Sequence, residues 1–264
     1  MKSERRGDRV LYHLGFETAA LGNLSPRLAF LSGDPDRAEL IAQNYLQNPY
    51  CLAKNRGLVT YLGYLGDRVP VLSSTSGMGA PSMSIVVNEL IQAGIQQIVR
   101  IGTCGAIQPQ IEVGTVIITQ GALCRQGAAL DVAPVEYPAV ADPFWTVAMV
   151  EAARSLNIPY HLGLTASVDT FYEGQGRCNT SGNTYLQRHL RGITEEYQQL
   201  NLLNYEMEAG TLLKMAGVYG FKAVCICGVI AQRTQRENIR PESKEIAIDR
   251  AIRVAIEAAK NLEK

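Results

Sequence analysis

Three turns of the sequence combine glycine with side chains that bind anions. The glycines and their neighbours are Gly33 with Arg37, Gly77 and Gly79 with Ser76 and Ser82, and Gly102 with Arg100 and Thr103. Glycine lets backbone N–H groups close on an anion, and the planar fork of arginine fits the oxygens of phosphate. Any one such turn is explained by the backbone of a strand-to-helix connection, but the three together favour a phosphate site.

The spacing of these glycines does not match the common nucleotide-binding fingerprints. Ser82 stands where the third glycine of a dinucleotide fingerprint belongs, and no acidic residue follows about twenty positions later. The Gly-Lys-Ser/Thr of a P-loop is also missing from the sequence. We therefore expect the anion to be free phosphate rather than the phosphate tail of a nucleotide.

Short apolar runs alternate with helical patterns along the chain, and these elements must position the turns. The predicted strands are 28–32, 69–74, 97–101, 115–121, 161–167 and 221–229, and the predicted helices are 37–45, 81–93, 143–156, 208–219 and 242–262. This alternation predicts a single α/β domain over residues 1–264, with a mixed central β-sheet flanked by helices. The polar stretch 178–199 fits either a loop or an exposed helix.

Composition excludes several classes of protein. The 25 basic and 25 acidic side chains cancel, which argues against binding to nucleic acid or an anionic membrane, and 47% hydrophobic residues argue against a disordered chain. The six cysteines form no Cys-x-x-Cys pair; Cys225 and Cys227 would share one face of a strand, which suits packing. The N-terminus lacks the apolar region of a signal peptide, so we expect a reduced cytoplasmic protein.

Six segments together resemble the nucleoside phosphorylase family, from about His13 to the final helix. They are Gly-Asp-Pro-Asp-Arg at 33–37, Thr-Ser-Gly-Met-Gly-Ala-Pro-Ser at 75–82, Arg-Ile-Gly-Thr-Cys-Gly-Ala at 100–106, Phe-Tyr-Glu-Gly-Gln-Gly-Arg at 171–177, Asn-Tyr-Glu-Met-Glu-Ala at 204–209 and Gly-Val-Ile-Ala-Gln-Arg at 228–233. The segment at 171–177 is similar to the uridine branch of that family. The resemblance implies the family fold and reversible phosphorolysis of uridine, deoxyuridine or thymidine in pyrimidine salvage and nucleoside catabolism.

The resemblance also implies which residues bind phosphate, the co-substrate. The matching positions are Gly33, Arg37, Arg100 and Thr103, with Arg56 matching an arginine that reaches in from a neighbouring subunit. Several cations with backbone donors would offset a dianion and hold it beneath the sugar for in-line attack. From the sequence alone, Arg56 is equally well explained as a solvated loop charge.

The ribose-binding residues implied by the resemblance are Met207, Glu208, Thr103 and His13. An ionised carboxylate only accepts hydrogen bonds, so Glu208 suits the 2′- and 3′-hydroxyls, while Met207 lies against the sugar ring. His13 matches a histidine that contacts the 5′-hydroxyl across a subunit interface. Without the resemblance, Glu208 would be interpreted as part of an acidic first helical turn, and His13 as a surface residue.

The base-binding residues implied by the resemblance are Phe171, Gln175, Arg177, Glu206, Ile230 and Arg233. The amide of Gln175 matches N3–H and a carbonyl of uracil, and Arg177 stabilises the negative charge that builds on the departing ring. Phe171 stacks on the base, and Arg233 acts near it through water. We expect the catalytic residues to be Arg177, Gln175, Arg100 and Glu208; the alternative is that 171–177 is an ordinary polar loop.

Two departures from family patterns narrow these expectations. Purine-specific members carry an aspartate in the segment that reads Val-Ile-Ala-Gln-Arg at 229–233 here, so a pyrimidine is expected. Gly57 replaces the glutamate through which some members bind a monovalent cation, so no metal is expected. No organic cofactor is expected either, because catalysis would consist of positioning and electrostatics. The resemblance implies a homohexamer built from dimers with shared active sites. A phosphate-independent nucleosidase and a catalytically silent nucleoside-binding protein remain the alternatives.

Overall fold

The computed structural model describes residues 9–66, 68–234 and 241–263 of the chain. The chain divides into two compact units. The first unit runs up to Gly77 and includes Ile85–Ile98; the second contains Met78–Ser84 and the chain from Val99 onward. The expectation of one domain over 1–264 stays a prediction.

The strands and helices account for most of the described chain. The strands are β1 Val10–Leu11, β2 Phe16–Glu17, β3 Leu28–Ser32, β4 Gln47–Asn55, β5 Leu58–Leu65, β6 Val69–Thr75, β7 Gln97–Ala106, β8 Val116–Arg125, β9 Ala139–Val140, β10 Tyr160–Val168, β11 Leu202–Glu206 and β12 Lys222–Gln232. The α-helices are α1 Pro35–Tyr45, α2 Ala80–Ala93, α3 Gly127–Leu130, α4 Pro143–Ser155, α5 Ile193–Gln199, α6 Ala209–Tyr219 and α7 Pro241–Leu262.

The first unit is built on four strands in the order β3, β6, β5, β4. The fully buried β3 runs parallel to β6, while β5 is antiparallel to both β6 and β4. Arg56 and Gly57 form the turn between β4 and β5, with φ values of 53° and 78°, the left-handed backbone typical of a tight hairpin. Helix α1 packs on β3, β5 and β6. Its N-terminus closely follows the end of β3 in the chain.

The second unit is a ring of strands in the order β11, β10, β8, β12, β7. The ring closes because β11 also pairs antiparallel with β7, placing Tyr205 opposite Gly105. Strands β10 and β8 are parallel, and β12 is antiparallel to β8, so the sheet is mixed. Helix α6 packs on β8, β10 and β12, and α7 packs on β12 and α4. The predicted α/β class with a mixed sheet flanked by helices is confirmed.

Each predicted strand and helix is found, with boundaries shifted by a few residues. The sequence did not predict the β4–β5 hairpin or β11, and the unassigned stretch 178–199 contains short 3-10 turns followed by α5. Cys225 and Cys227 share one face of β12, as expected, with their sulfur atoms 3.7 Å apart. None of the described helices has the length and apolar character needed to cross a bilayer.

Candidate active site

Arg100 is buried on β7 between two carboxylates and two thiols. Its Nη2 atom forms an ion pair with Glu208 and lies 3.7 Å from Oε2 of Glu206. Its Nη1 atom lies 3.8 Å from the sulfur of Cys227 and 4.0 Å from that of Cys225. Burial lowers the pKa of Arg100, but the neighbouring carboxylates, Glu208 above all, raise it by more, so the guanidinium stays cationic with a pKa well above its ordinary value.

The thiols beside Arg100 are neutral and weak acceptors. A hydrogen bond with Cys227 and burial raise the pKa of Cys225, and a hydrogen bond with Cys104 and burial raise that of Cys227. Among the described residues, the buried Nε of Arg100 has no hydrogen-bond partner. Gly102 leaves the space that the guanidinium occupies, because a Cβ there would overlap Nη1. Arg100 thus keeps one donor that no described group satisfies.

The carboxylate of Glu208 bridges Arg100 and the glycine turn before α2. One oxygen pairs with Arg100, and the other accepts from the N–H of Gly79 at 2.6 Å. Glu208 is the N-cap residue of α6, yet its side chain makes no capping bond to that helix. Met207 beside it and Thr103 on β7 are both half-buried. Each oxygen of this carboxylate keeps a further lone pair, so Glu208 can accept additional hydrogen bonds beside a buried cation.

Glu206 ends β11 and has a structural role. Its Oε2 accepts from the N–H groups of Glu208 at 2.9 Å and Ala209 at 2.7 Å, and its Oε1 accepts from the hydroxyl of Ser167. Burial raises the pKa of the Glu206 carboxyl, while Arg100 lowers it. Both oxygens of Glu206 are bonded inside the protein and its Oε2 caps the start of α6, and its expected contact with the base stays a prediction.

The loop after β10 brings together the residues expected at the base. Gln175 is buried, and the guanidinium of Arg233 donates to its side-chain oxygen at 3.3 Å and to its backbone carbonyl at 2.9 Å. The guanidinium of Arg177 lies 3.9 Å from the centre of the Phe171 ring, a cation–π contact. A Cβ on Gly105 would lie 3.1 Å from Cγ of Arg233 and 3.8 Å from Nη2 of Arg177, so both arginines lie near the end of β7.

Aromatic and apolar side chains complete this region. Phe171 is 45% exposed, which leaves much of its surface free for a ligand. Arg233 lies over the ring of Tyr205, 5.7 Å from its centre. Burial raises the pKa of Tyr205 to about 12, so it is a neutral phenol at pH 7 and not a base. Ile230 is half-buried on β12, three residues before Arg233.

Gly33 and Arg37 lie where β3 joins α1 in the first unit. A Cβ on Gly33 would lie 3.2 Å from the carbonyl oxygen of Gly77, so these two turns pack against each other. This proximity follows from the parallel pairing of β3 and β6. Arg37 is buried in the first turn of α1, with Nη2 4.0 Å from Oδ2 of Asp34. Arg37 and the glycine turns at Gly33 and Gly77 thus lie together at the carboxyl ends of β3 and β6.

His13 is bound to a carboxylate that the sequence analysis did not single out. Nδ1 of His13 lies 2.7 Å from Oε1 of Glu89. The same carboxylate accepts from the backbone N–H groups of His13 and Leu14 at 2.9 and 2.8 Å. Glu89 therefore fixes both the backbone and the ring of His13, which leaves Nε2 as the nitrogen for a ligand.

Arg56 and His13 belong to one patch of the first unit. Nδ2 of Asn55 donates to the carbonyls of Tyr12 at 2.9 Å and of His13 at 3.0 Å. The guanidinium of Arg56 lies 5.8 Å from the centre of the Tyr12 ring. The two residues that the resemblance assigns to a neighbouring subunit are thus held together. Gly57 in the same turn supplies no carboxylate, and the expectation that no monovalent cation binds there stays a prediction.

Three supporting residues escaped the sequence analysis: Glu89, Ser167 and Gln126. Gln126 is buried at the end of β8, and its Nε2 donates to the carbonyl of Met207. None of the three lies in a recognisable motif, and each acts on a residue far away in sequence. Only the folded arrangement identifies them.

Comparison with known proteins gives consistent matches. Residues 27–263 match the model of the Phosphorylase superfamily. The chain is 44% identical over 252 residues to a uridine phosphorylase of Escherichia coli, covering 96% of this chain and 98% of the relative. It is 42% identical over 253 residues to a uridine phosphorylase of Haemophilus influenzae, with the same coverage. A uridine phosphorylase of Thermococcus kodakarensis is 40% identical over 237 residues, covering 89% and 82% of the two chains.

Proposed function

The chain belongs to the Phosphorylase superfamily, and from this premise we propose that it is an enzyme that catalyses the reversible phosphorolysis of uridine. Uridine and phosphate would give uracil and ribose 1-phosphate, with deoxyuridine or thymidine as alternative nucleosides. Identities of 40% to 44% with relatives named uridine phosphorylase support this substrate class. The role we propose is in pyrimidine salvage and nucleoside catabolism.

The observation that carries the proposal is the group formed by Gln175, Arg177 and Arg233. The bond from Arg233 to the side-chain oxygen of Gln175 orients that amide, so its NH₂ group is left to donate to a carbonyl of uracil. The same oxygen retains a lone pair for N3–H of the base. The segment 229–233 has no carboxylate to protonate a purine, which favours a pyrimidine.

In the proposed reaction, the bond between C1′ and N1 breaks and its electron pair passes into the uracil ring. Arg177 and Gln175 donate to the ring oxygens, on which the negative charge develops in the transition state. Glu208 accepts from the 2′- and 3′-hydroxyls, and Met207 supports the sugar. A phosphate oxygen then forms a bond to C1′ from the opposite face, and uracil takes up a proton after it leaves.

We assign phosphate to Gly33, Arg37, Arg56, Arg100 and Thr103. Catalysis then consists of positioning and electrostatic stabilisation, and no organic cofactor or metal takes part. Arg56 and His13 would act in the site of a neighbouring subunit, within a homohexamer of dimers. We further propose that the enzyme works in the cytoplasm.

The decisive experiment incubates the purified protein with uridine, with and without inorganic phosphate, and measures uracil, ribose and ribose 1-phosphate. We expect uracil and ribose 1-phosphate in equal amounts, and only when phosphate is present. Uracil with free ribose in the absence of phosphate would identify a nucleosidase instead. Uridine binding without release of uracil in either reaction would identify a silent binding protein.

Replacing Glu89 with glutamine is expected to raise the KM for uridine about tenfold, because His13 loses the charged partner that orients its ring. The KM for 5′-deoxyuridine, which lacks the hydroxyl that His13 would bind, should change little. Steady-state kinetics with both nucleosides measures this difference. In a His13→Ala background the Glu89→Gln change should have no further effect on uridine, and a persistent effect would show that Glu89 acts by another route.

A further inference from the structure

The start of α6 is capped from outside the helix. The first N–H groups of a helix have no partner within it and need other acceptors. Glu206 serves the first of these groups, Oγ of Ser167 accepts from Gly210 at 2.8 Å, and Oε1 of Gln126 accepts from the N–H of Thr211 at 2.8 Å. The N-cap residue itself is therefore released from capping.

Gln126 differs from the other caps because it also holds the residue before the helix. Its Nε2 donates to the carbonyl of Met207, while its Oε1 accepts from both the N–H and the hydroxyl of Thr211. One amide thus spans Met207 and Thr211, the two sides of Glu208. Gln126 is only 2% exposed, so water cannot readily replace either bond.

The surroundings of Gln126 give it little freedom to move. The N–H of the next residue, Gly127, donates to Oδ2 of Asp169 at 2.7 Å, which ties this turn to the end of β10. The start of α6 is equally constrained, since a Cβ on Gly210 would lie 2.7 Å from the sulfur of Cys124 and 3.0 Å from Cβ of Ser167. The amide therefore connects two fixed parts of the second unit.

We propose that Gln126 is a positioning residue for the ribose-binding pair Met207 and Glu208. This inference rests on the proposed function. By fixing the carbonyl of Met207, Gln126 sets the position of the following peptide and hence the direction in which the Glu208 carboxylate points. Loss of this bond lets the carboxylate move relative to the ribose hydroxyls, and small displacements are costly in a site that acts by positioning.

The test is Gln126→Glu, which keeps oxygen acceptors for Thr211 but places an oxygen instead of N–H against the Met207 carbonyl. We expect kcat/KM for uridine to fall about tenfold, and clearly less for 2′-deoxyuridine, which makes one hydrogen bond fewer to Glu208. The KM for phosphate should change little, while the melting temperature should fall because a carboxylate is buried against a carbonyl oxygen. The matched control is Thr211→Val, which removes one bond to the same amide but spares Met207 and should leave the ratio of the two nucleosides unchanged.

Each outcome distinguishes the inference from the proposed function. If wild-type protein does not cleave uridine with phosphate, both are refuted. If wild-type protein is active and Gln126→Glu lowers kcat/KM equally for the two nucleosides, or not at all, only the positioning role is refuted. If Gln126→Glu is insoluble, Gln126→Asn withdraws the same amide by one methylene and is judged by the same ratio.

Discussion

Replacing Arg177 with alanine should lower kcat for uridine phosphorolysis by about 10²–10³-fold, the loss typical of removing one charge-stabilising donor from an active site. The KM for uridine should rise much less, because the charge that Arg177 meets develops only as the bond to uracil breaks. The cation–π contact places the guanidinium beside Phe171, the ring expected to stack on the base. Steady-state kinetics at saturating phosphate measures both constants.

Arg191 offers a matched control for this substitution. It also lies after β10 and also has its guanidinium near an aromatic ring, 5.9 Å from the centre of Tyr185, but it has no assigned part in the reaction. Arg191→Ala should retain nearly wild-type kcat. A variant Arg177→Ala with unchanged kcat and a raised KM would mean that this arginine binds ground state and transition state equally, and the leaving-group role would be wrong.

Apolar sequence patterns predicted the strands and helices whose buried side chains are mostly apolar. They missed strands that are largely exposed or that bury polar side chains. Strand β3 is buried throughout and reads as a short apolar run, so it was predicted with its correct ends. Strand β4 is largely exposed and contains Pro49, which is typical of a loop or an edge strand. Strand β11 buries two polar residues, Asn204 and Glu206, so its sequence does not form an apolar run. Their burial is possible because they bond to Thr165 and Ser167 on β10.

The candidate site divides in the same way. Residue type, order and resemblance agree within the motifs at 171–177 and 204–209, so their site roles, which stay predictions, could be proposed from the sequence. Residues that act through long-range bonds could not: Glu89 is 76 positions from His13, and Gln126 is 81 positions from Met207. For Glu206, the folded arrangement adds the capping of α6, which its motif did not suggest, while the contact with the base stays a prediction.

Replacing Arg100 with methionine should remove saturable phosphate dependence and destabilise the protein by about 3–5 kcal/mol, the cost of leaving buried charges without their partner. Arg100 is the cation between Glu206 and Glu208, and neither carboxylate can reach bulk water easily. The variant Arg100→Lys keeps a charge but loses the planar fork. It should therefore retain more stability while still binding phosphate poorly. Thermal unfolding and phosphate kinetics separate these two effects.

The pH dependence of the stability lost in Arg100→Met gives a sharper test. Burial already raises the pKa of Glu206 in the folded protein, so Glu206 contributes stability below its unfolded pKa that is lost as pH rises through the folded value. Arg100 lowers the pKa of Glu206, so replacing Arg100 raises that pKa further and increases the stability that is lost as the pH rises. The difference in melting temperature between wild type and Arg100→Met should therefore grow from about pH 5 to about pH 8. Arg37→Met removes a guanidinium that lies 4.0 Å from the partly exposed carboxylate of Asp34, and it should show no such growth. A pH-independent difference for Arg100→Met would contradict the assigned charge balance.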